Sequence, residues 1–375
     1  MSKKPNILII GGGLAGLICA IQLGKAGFEV KVIERKNYPF HRVCGEYVSN
    51  EVLPFLQSIG LNPENWGAAK ISKLKVTSPQ GKQLENDLDL GAFGISRYRL
   101  DWECFQLARS LGVKFLLETK VLDVQFLEEQ FQVSTSHETL TADLVIGSFG
   151  KRSNLDQKLK RKFFYQRSPY MGVKYHIKTD FPEDLIQLDN FEGGYCGMSK
   201  IEDDLYCLCY LTENKHLKSF GTITEMEENV LQKNPHLKKI FNEAEFVWDK
   251  PETINEISFE QKSPIENHIL MCGDSAGMIA PLCGNGMAMA IHSAKILADE
   301  IINFMSDGIS KAKRVQLENR YHDLWYKEFA LRLKIGRGLQ NFFGNKLMTN
   351  AAIALLAQFP PVSNFIIKKT HGKAF

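Results

Sequence analysis

A glycine loop close to the start limits what this chain can fold into. An apolar run, Asn6-Ile7-Leu8-Ile9-Ile10, feeds directly into Gly11-Gly12-Gly13-Leu14-Ala15-Gly16, and an amphipathic helical pattern follows. A second apolar run, Glu29-Val30-Lys31-Val32-Ile33, then ends in Glu34. Strand, glycine turn, helix and strand in this order spell a βαβ unit. Gly11 allows the tight turn, Gly13 lets backbone N–H groups approach a pyrophosphate, and Gly16 lets the helix pack on the strand. The anion rests on the helix N-terminus, where unsatisfied N–H groups and the macrodipole converge. Glu34 follows Gly16 by 18 residues, near the spacing of about 20 at which an acid accepts ribose hydroxyls. A bare structural βαβ unit is the alternative, but the complete series with its terminal acid favours a dinucleotide. The acid favours a free 2′-hydroxyl, so FAD or NAD fits better than NADP, and the loop does not choose between those two.

The 375 residues suffice for two or three domains, or for one large domain with an inserted second sheet. A hydrophobic share of 44% and a charged share of 24% are those of an ordinary globular protein. A net charge of +3 gives no reason to expect nucleic acid as a partner. No apolar run approaches the roughly 18 residues of a transmembrane helix, and Lys3-Lys4 before a short apolar stretch is not a signal peptide. The eight cysteines are scattered without a C-x-x-C pair, which argues against a disulfide framework or a metal site and for a reducing, cytoplasmic address.

Past Glu34, the segment Arg35 to Tyr47 contains Pro39, Arg42, Cys44 and Gly45 and leads into a helix expected near 49–59. Either it is a surface connection, or Arg42 neutralises pyrophosphate while Cys44 and Gly45 pass the reactive end of the ligand. Strands are expected at 74–77, 93–96, 113–118, 120–126, 131–135, 138–142 and 144–147, with a helix from Arg97 to about Leu111 whose Asp101 suits the dipole. Between 163 and 263 short β-rich segments dominate, at 170–177, 185–191, 193–198 and 205–211, with one helical piece at 225–231. A buried strand then ends in Gly273-Asp274, and a glycine-rich stretch opens a helix from Gly286 to Met305. Two glycine-framed helix starts suit a long, extended cofactor better than a mononucleotide.

The last 65 residues or so read as helical, with His322, Trp325, Phe329, Leu333 and Gly336 on one face. The apolar 347–359 stretch, Pro360-Pro361 and Phe365 to Lys369 read as a cap over the core. The alternative for this region is an amphipathic surface for a membrane, a carrier protein or a greasy substrate.

Four of these pieces together resemble the FAD-dependent superfamily of p-hydroxybenzoate hydroxylases, geranylgeranyl reductases and flavin-dependent halogenases. They are the glycine loop with Glu34, the Pro39–Glu46 segment ending Cys-Gly-Glu, Arg97-x-x-Leu-Asp, and Gly273-Asp274 with Pro281-x-x-Gly-x-Gly286. The resemblance implies FAD as cofactor. Gly11, Gly13, Leu14, Ala15 and Gly16 would hold its pyrophosphate, and Glu34 with neighbouring Arg35 its adenosine ribose. Arg42 and Arg97 would lie near the phosphates, Val121 near the adenine and Gly45 near the flavin. Gly273 and Asp274 would meet the ribitol or pyrophosphate, and Gly284, Gly286 and Met287 the flavin N1 and C2 carbonyl, where helix N–H groups stabilise negative charge. Gly194 and Tyr195 would line the substrate pocket. Cys44 is the candidate catalytic residue, as proton donor or pocket wall. A thiolate there would need a positive charge such as Arg42 or His41.

Two departures qualify the reaction. Hydroxylases of the superfamily carry Gly-Ala-Asp-Gly-x-x-Ser-x-x-Arg after a central strand, where this chain has Phe149 and Asp156 in place of the acid and the arginine. NADH or NADPH stays the expected electron donor, with a scaffold or sensor lacking such a donor as an alternative. The Gly194–Ser199 stretch lacks the tryptophan and proline of the reductase and halogenase motifs, which counts against halogenation. The expected fold is α/β (α+β): a Rossmann-like FAD-binding domain, an inserted antiparallel β-sheet substrate domain and C-terminal helices. Its parts are 1–75, 97–162 and 263–305 for the cofactor, 76–96 and 163–262 for the substrate, and 306–375 for the helices. The expected activity is monooxygenation of a lipophilic or aromatic small molecule, with saturation of C=C bonds as the rival.

Overall fold

The computed structural model describes residues 4–278, 284–342, 349–350, 353, 355 and 372–375. Asn6–Ile10 and Glu29–Ile33 pair in parallel, joined by the Leu14–Lys25 helix. They lie inside a six-stranded sheet ordered Ile265–Glu266, Ile269–Met271, Leu144–Gly147, Asn6–Ile10, Glu29–Ile33, Lys114–Leu116. The terminal 265–266/269–271 pair is antiparallel and the other pairings are parallel. Helices cover this sheet, so its strands are runs of Ile, Leu and Val without alternation.

The register brings the strand ends into one row. Ile10 lies opposite both Ile33 and Gly147, and Gly147 opposite Met271. Backbone bonds continue the row one residue further: Gly11 N to Ile33 O at 2.9 Å, Ser148 N to Ile10 O at 2.9 Å, and Cys272 N to Gly147 O at 3.0 Å. The first glycine loop, Glu34, Ser148 and the Gly273-Asp274 turn therefore share the carboxyl edge of one parallel sheet, which is where open α/β sheets bind ligands.

The second sheet has nine strands. Tyr170–Lys178 lies between Glu245–Phe246 and Tyr206–Glu213, and Glu252–Asn255 also pairs with it. Gly194–Lys200, Leu185–Phe191, Ala69–Thr77, Gln83–Gly94 and Tyr47–Ser49 follow. Strand periodicity splits it into two faces. Met171, Val173, Tyr175 and Ile177 join Leu208 and Tyr210 in a core beneath the helices Asn214–Phe220, Ile223–Asn229 and Pro235–Glu243. Gly172, Lys174 and His176 belong to the opposite face, in register with Leu211, Cys209 and Cys207.

Several expectations change here. The second sheet includes Tyr47–Ser49 and all of Ala69–Thr77, so a boundary at 75/76 cuts a strand. Leu185–Phe191 runs parallel to Ala69–Thr77, so the sheet is not wholly antiparallel. Three helices cover it where one was expected. The Pro235–Glu243 helix carries its own start signal, Asn234 accepting from His236 N at 2.9 Å with proline in the first turn. The expected 49–59 helix is a short 3-10 turn, Asn50–Val52, followed by Leu53–Ser58. The Gly286–Met305 helix runs as expected. In the Lys311–Phe342 helix Trp325, Phe329 and Leu333 are buried but His322 is exposed, and Tyr321 takes the inward position. Positions 321, 325 and 329 form an i, i+4 stripe, which leaves 322 about 100° around the helix. The apolar 347–359 stretch and the segment up to Lys369 lie almost wholly outside the described residues.

Candidate functional site

Two kinds of glycine frame the edge of the parallel sheet. Gly11 has φ +102°, and a Cβ there would lie 2.5 Å from Ser148 O. At Gly16 it would lie 2.2 Å from Gly11 O and 2.6 Å from Ser148 Oγ. These two close the turn and the helix–strand contact. Gly13 has only Arg97 Nη2 near, at 3.9 Å, and Gly45 and Gly286 have nothing within 4 Å. Those three face open space, as a cradle for an extended ligand requires.

The two glycine segments meet although far apart in the chain. A Cβ on Gly273 would lie 2.9 Å from Ala15 Cβ in the first turn of the Leu14–Lys25 helix, so Ala15 is buried under this junction; Leu14 beside it is buried as well. Gly273 N donates to Ser293 Oγ at 2.9 Å. Asp274 lines a small crevice with Gly273, Gly286, Met289, Ser293 and Trp325. Gly284 has φ +62° and packs on the Tyr47 ring, and Met287 is buried at the start of its helix.

Around the first loop four charges interlock. Glu34 accepts from Gly12 N at 3.0 Å and from Arg42 Nη2 at 3.2 Å. Arg42 Nε reaches Asp101 at 3.1 Å, while Arg97 holds the same carboxylate with two donors at 2.8 and 2.7 Å. Asp101 thus anchors both arginines beside Gly13, a role that its reading as a dipole partner missed. Arg35 is exposed, and Val121 is buried at the start of the Val121–Leu127 strand, two residues past Thr119, whose N–H donates to Glu34 O at 3.0 Å. Because both arginines are matched by carboxylates, a diphosphate at this edge would depend strongly on the helix N–H groups.

The Arg42–Glu46 segment crosses from this edge onto the second sheet. Cys44 is partly exposed and Gly45 exposed. Arg42 is committed to Glu34 and Asp101, and burial, with the Lys174 charge and His176 beside it, pushes the His41 imidazole down to about 4, so it is neutral near pH 7. Tyr195 is on the sheet face that this segment covers and clusters with Leu211, Ile257 and Met278. Gly194 does not line that space. A Cβ there would lie 2.1 Å from Leu211 O and 2.6 Å from the Phe191 ring, so its lack of a side chain serves strand packing.

At the two departures, Asp156 is fully buried, completes a capping box with Ser153 and pairs with Arg161 at 2.9 Å. Arg152 is engaged by Glu256 at 2.8 Å and by the Phe164 ring. Buried Lys262, which the motif reading missed, donates to Lys151 O at 2.7 Å and Asp274 O at 2.8 Å, joining this loop to the Gly-Asp turn. Burial lowers its ammonium to about 8 against the pull of Asp274. No local pattern marks that lysine, because its partners are backbone carbonyls remote in sequence.

The family described as FAD binding domain matches residues 4–312. Digeranylgeranylglycerophospholipid reductase 2 of Methanopyrus kandleri is 23% identical over 371 residues, covering 94% of this chain and 89% of that protein. Kynurenine 3-monooxygenase of Christiangramia forsetii is 24% identical over 349 residues, covering 83% and 75%. The crystal structure of a geranylgeranyl bacteriochlorophyll reductase-like protein from Thermoplasma acidophilum superposes with a TM-score of 0.79 at 15% identity, covering 100% of this chain and 97% of that one. The open glycine cradle, the edge it occupies and a match over most of the length agree: the chain belongs to the FAD binding domain family of flavoprotein oxidoreductases.

Proposed function

We propose that the protein is an FAD-dependent monooxygenase acting on a lipophilic or aromatic small molecule, with NADH or NADPH as electron donor. The carrying observation is the apolar wall on the sheet face that the Arg42–Glu46 segment covers. Tyr195, Leu211, Ile257 and Met278 pack together there, with Tyr170, Leu188, Ile254 and Phe259 against them. Charged side chains near it are matched, Lys174 by Glu46 and Arg97 by Asp101. A wall of this kind orients a ring or chain by shape and excludes water. FAD, when bound, supplies the redox chemistry. Gly13, Gly45 and Gly286 leave room for it, and the Gly286 helix start would favour negative charge on the group lying against it.

A second reading rests on Cys44, whose partly exposed thiol adjoins open Gly45. In a saturase acting on C=C bonds its S–H would serve as the proton donor, and the reductase among the relatives supports this alternative.

The test is to add NADH or NADPH anaerobically to the FAD-loaded protein with candidate aromatic and isoprenoid substrates, follow flavin bleaching and product, and then admit oxygen. Bleaching followed by a product one oxygen atom heavier supports monooxygenation. A product two hydrogens heavier, formed without oxygen, replaces it with the saturase. Failure of both nicotinamides to bleach the flavin removes them as donors.

A further inference from the structure

We propose that Glu46, Lys174 and His176 form a buried charge lock that fixes the Arg42–Glu46 segment, and with it Cys44 and Gly45, against the second sheet. Glu46 and Lys174 are fully buried, and His176 is 3% exposed. Glu46 Oε1 accepts from Lys174 Nζ at 2.5 Å and from Arg97 N at 2.8 Å, while Oε2 lies 2.6 Å from His176 Nε2. The carboxylate joins the start of the Arg97–Ser110 helix to the Tyr170–Lys178 strand through one side chain.

The rest of the segment follows the same track. Lys174 Nζ also reaches Arg42 O at 3.3 Å, and Cys207 Sγ donates to Cys44 O at 3.3 Å. Val43 lies over Gly172, where a Cβ would come within 3.3 Å of its Cγ1. Gly45 turns to open space. Glu46 itself has φ +55°, a left-handed conformation that glycine or asparagine adopts more readily. A glutamate persists there when its surroundings over-determine the backbone, which three donors on one carboxylate do.

Glu46, His176 and Cys207 also place three donor atoms within 4.8 Å of one another, as a metal site would. The Lys174 ammonium already supplies the positive charge, however, and would repel a divalent ion. Burial alone would raise the Glu46 carboxyl; the Lys174 charge and the His176 and Lys174 hydrogen bonds outweigh it and hold the group near 2. Glu46 and Lys174 are therefore ion-paired at neutral pH. Removing one member strands the other charge, whereas removing both together is far less costly.

Glu46 and Lys174 act on Cys44 by positioning it, so the readout is the rate at which a maleimide labels Cys44, scored on the Cys44 peptide by mass spectrometry in the full chain. Glu46→Gln and Lys174→Met alone are expected to lower the melting temperature and speed labelling. The Glu46→Gln/Lys174→Met double variant is expected to recover the melting temperature while labelling stays about tenfold above the parent, the scale of losing one charge-assisted hydrogen bond. Parent-like labelling in the double variant overturns the proposal. Glu46→Asp keeps the charge and tolerates positive φ, but its shorter stem cannot span both partners. It serves where the double variant does not fold: faster Cys44 labelling supports the lock, and an unchanged rate refutes it. The readout needs no turnover, so it stands apart from whether the reaction inserts oxygen or reduces a double bond.

Discussion

At Gly16 the surroundings leave room for a hydrogen atom and nothing larger, whereas at Gly286 they leave open space. The two glycines therefore predict opposite results for the same substitution. Gly16→Ala drives a methyl into the Gly11 carbonyl and is expected to cost about 1–3 kcal/mol in urea denaturation, as overpacking does. Gly286→Ala should leave the denaturation midpoint unlowered but weaken FAD retention, measured by cofactor release on dilution. Loss of stability at Gly286 without loss of FAD would show that this glycine serves the fold. The tight role of Gly16 was legible from motif spacing, because the nearest atom that crowds it, the Gly11 carbonyl oxygen, belongs to the same βαβ unit. The packing role of Gly194 was not, since the atoms that crowd it belong to a neighbouring strand and to Phe191.

Among the elements, the Ile223–Asn229 helix docks on the second sheet through Glu227, whose carboxylate accepts from Tyr210 at 2.7 Å and Tyr175 at 3.1 Å. Burial pushes Glu227 up to about 7 despite those two hydrogen bonds. Between the unfolded value of about 4.3 and about 7 the folded chain keeps a proton that the unfolded chain releases. Stability should therefore fall as pH rises through that window and show no further Glu227 contribution above it. Chemical denaturation of the parent and Glu227→Gln across pH 4 to 8, roughly the span of that titration, checks this. The variant is expected to lose that component of the slope, and identical slopes would refute it. The helix was legible to within two residues, as the expected 225–231 piece; its start is set by Thr222, whose side chain accepts from Glu225 N. Its pH dependence was not, because the tyrosines that set it lie on two separate strands.

Across the whole molecule, the Lys311–Phe342 helix backs the cofactor edge from behind. Tyr321 Oη donates to Met271 O at 2.6 Å, and Trp325, 2% exposed, closes the crevice beside Asp274 while crowding Gly277, where a Cβ would be 2.8 Å from its ring. Trp325→Ala is expected to cost about 3–5 kcal/mol, the range for emptying a large aromatic site, and to loosen FAD as the Gly273–Gly277 turn loses its support. Denaturation together with FAD titration of the variant checks both, and unchanged FAD affinity would confine the tryptophan to packing. The βαβ start, the glycine turns and the Gly286–Met305 helix could be read from the sequence alone, because these depend on periodicity and turn chemistry within a few residues. Which charge meets which emerges with the folded chain: Asp101 with both arginines, Lys262 with two loop carbonyls, and Glu46 with Lys174 and His176, 128 and 130 residues away. The tertiary structure also decided that Leu185–Phe191 runs parallel to Ala69–Thr77. Such pairings bring together segments far apart in the chain, and no local propensity along it encodes that contact.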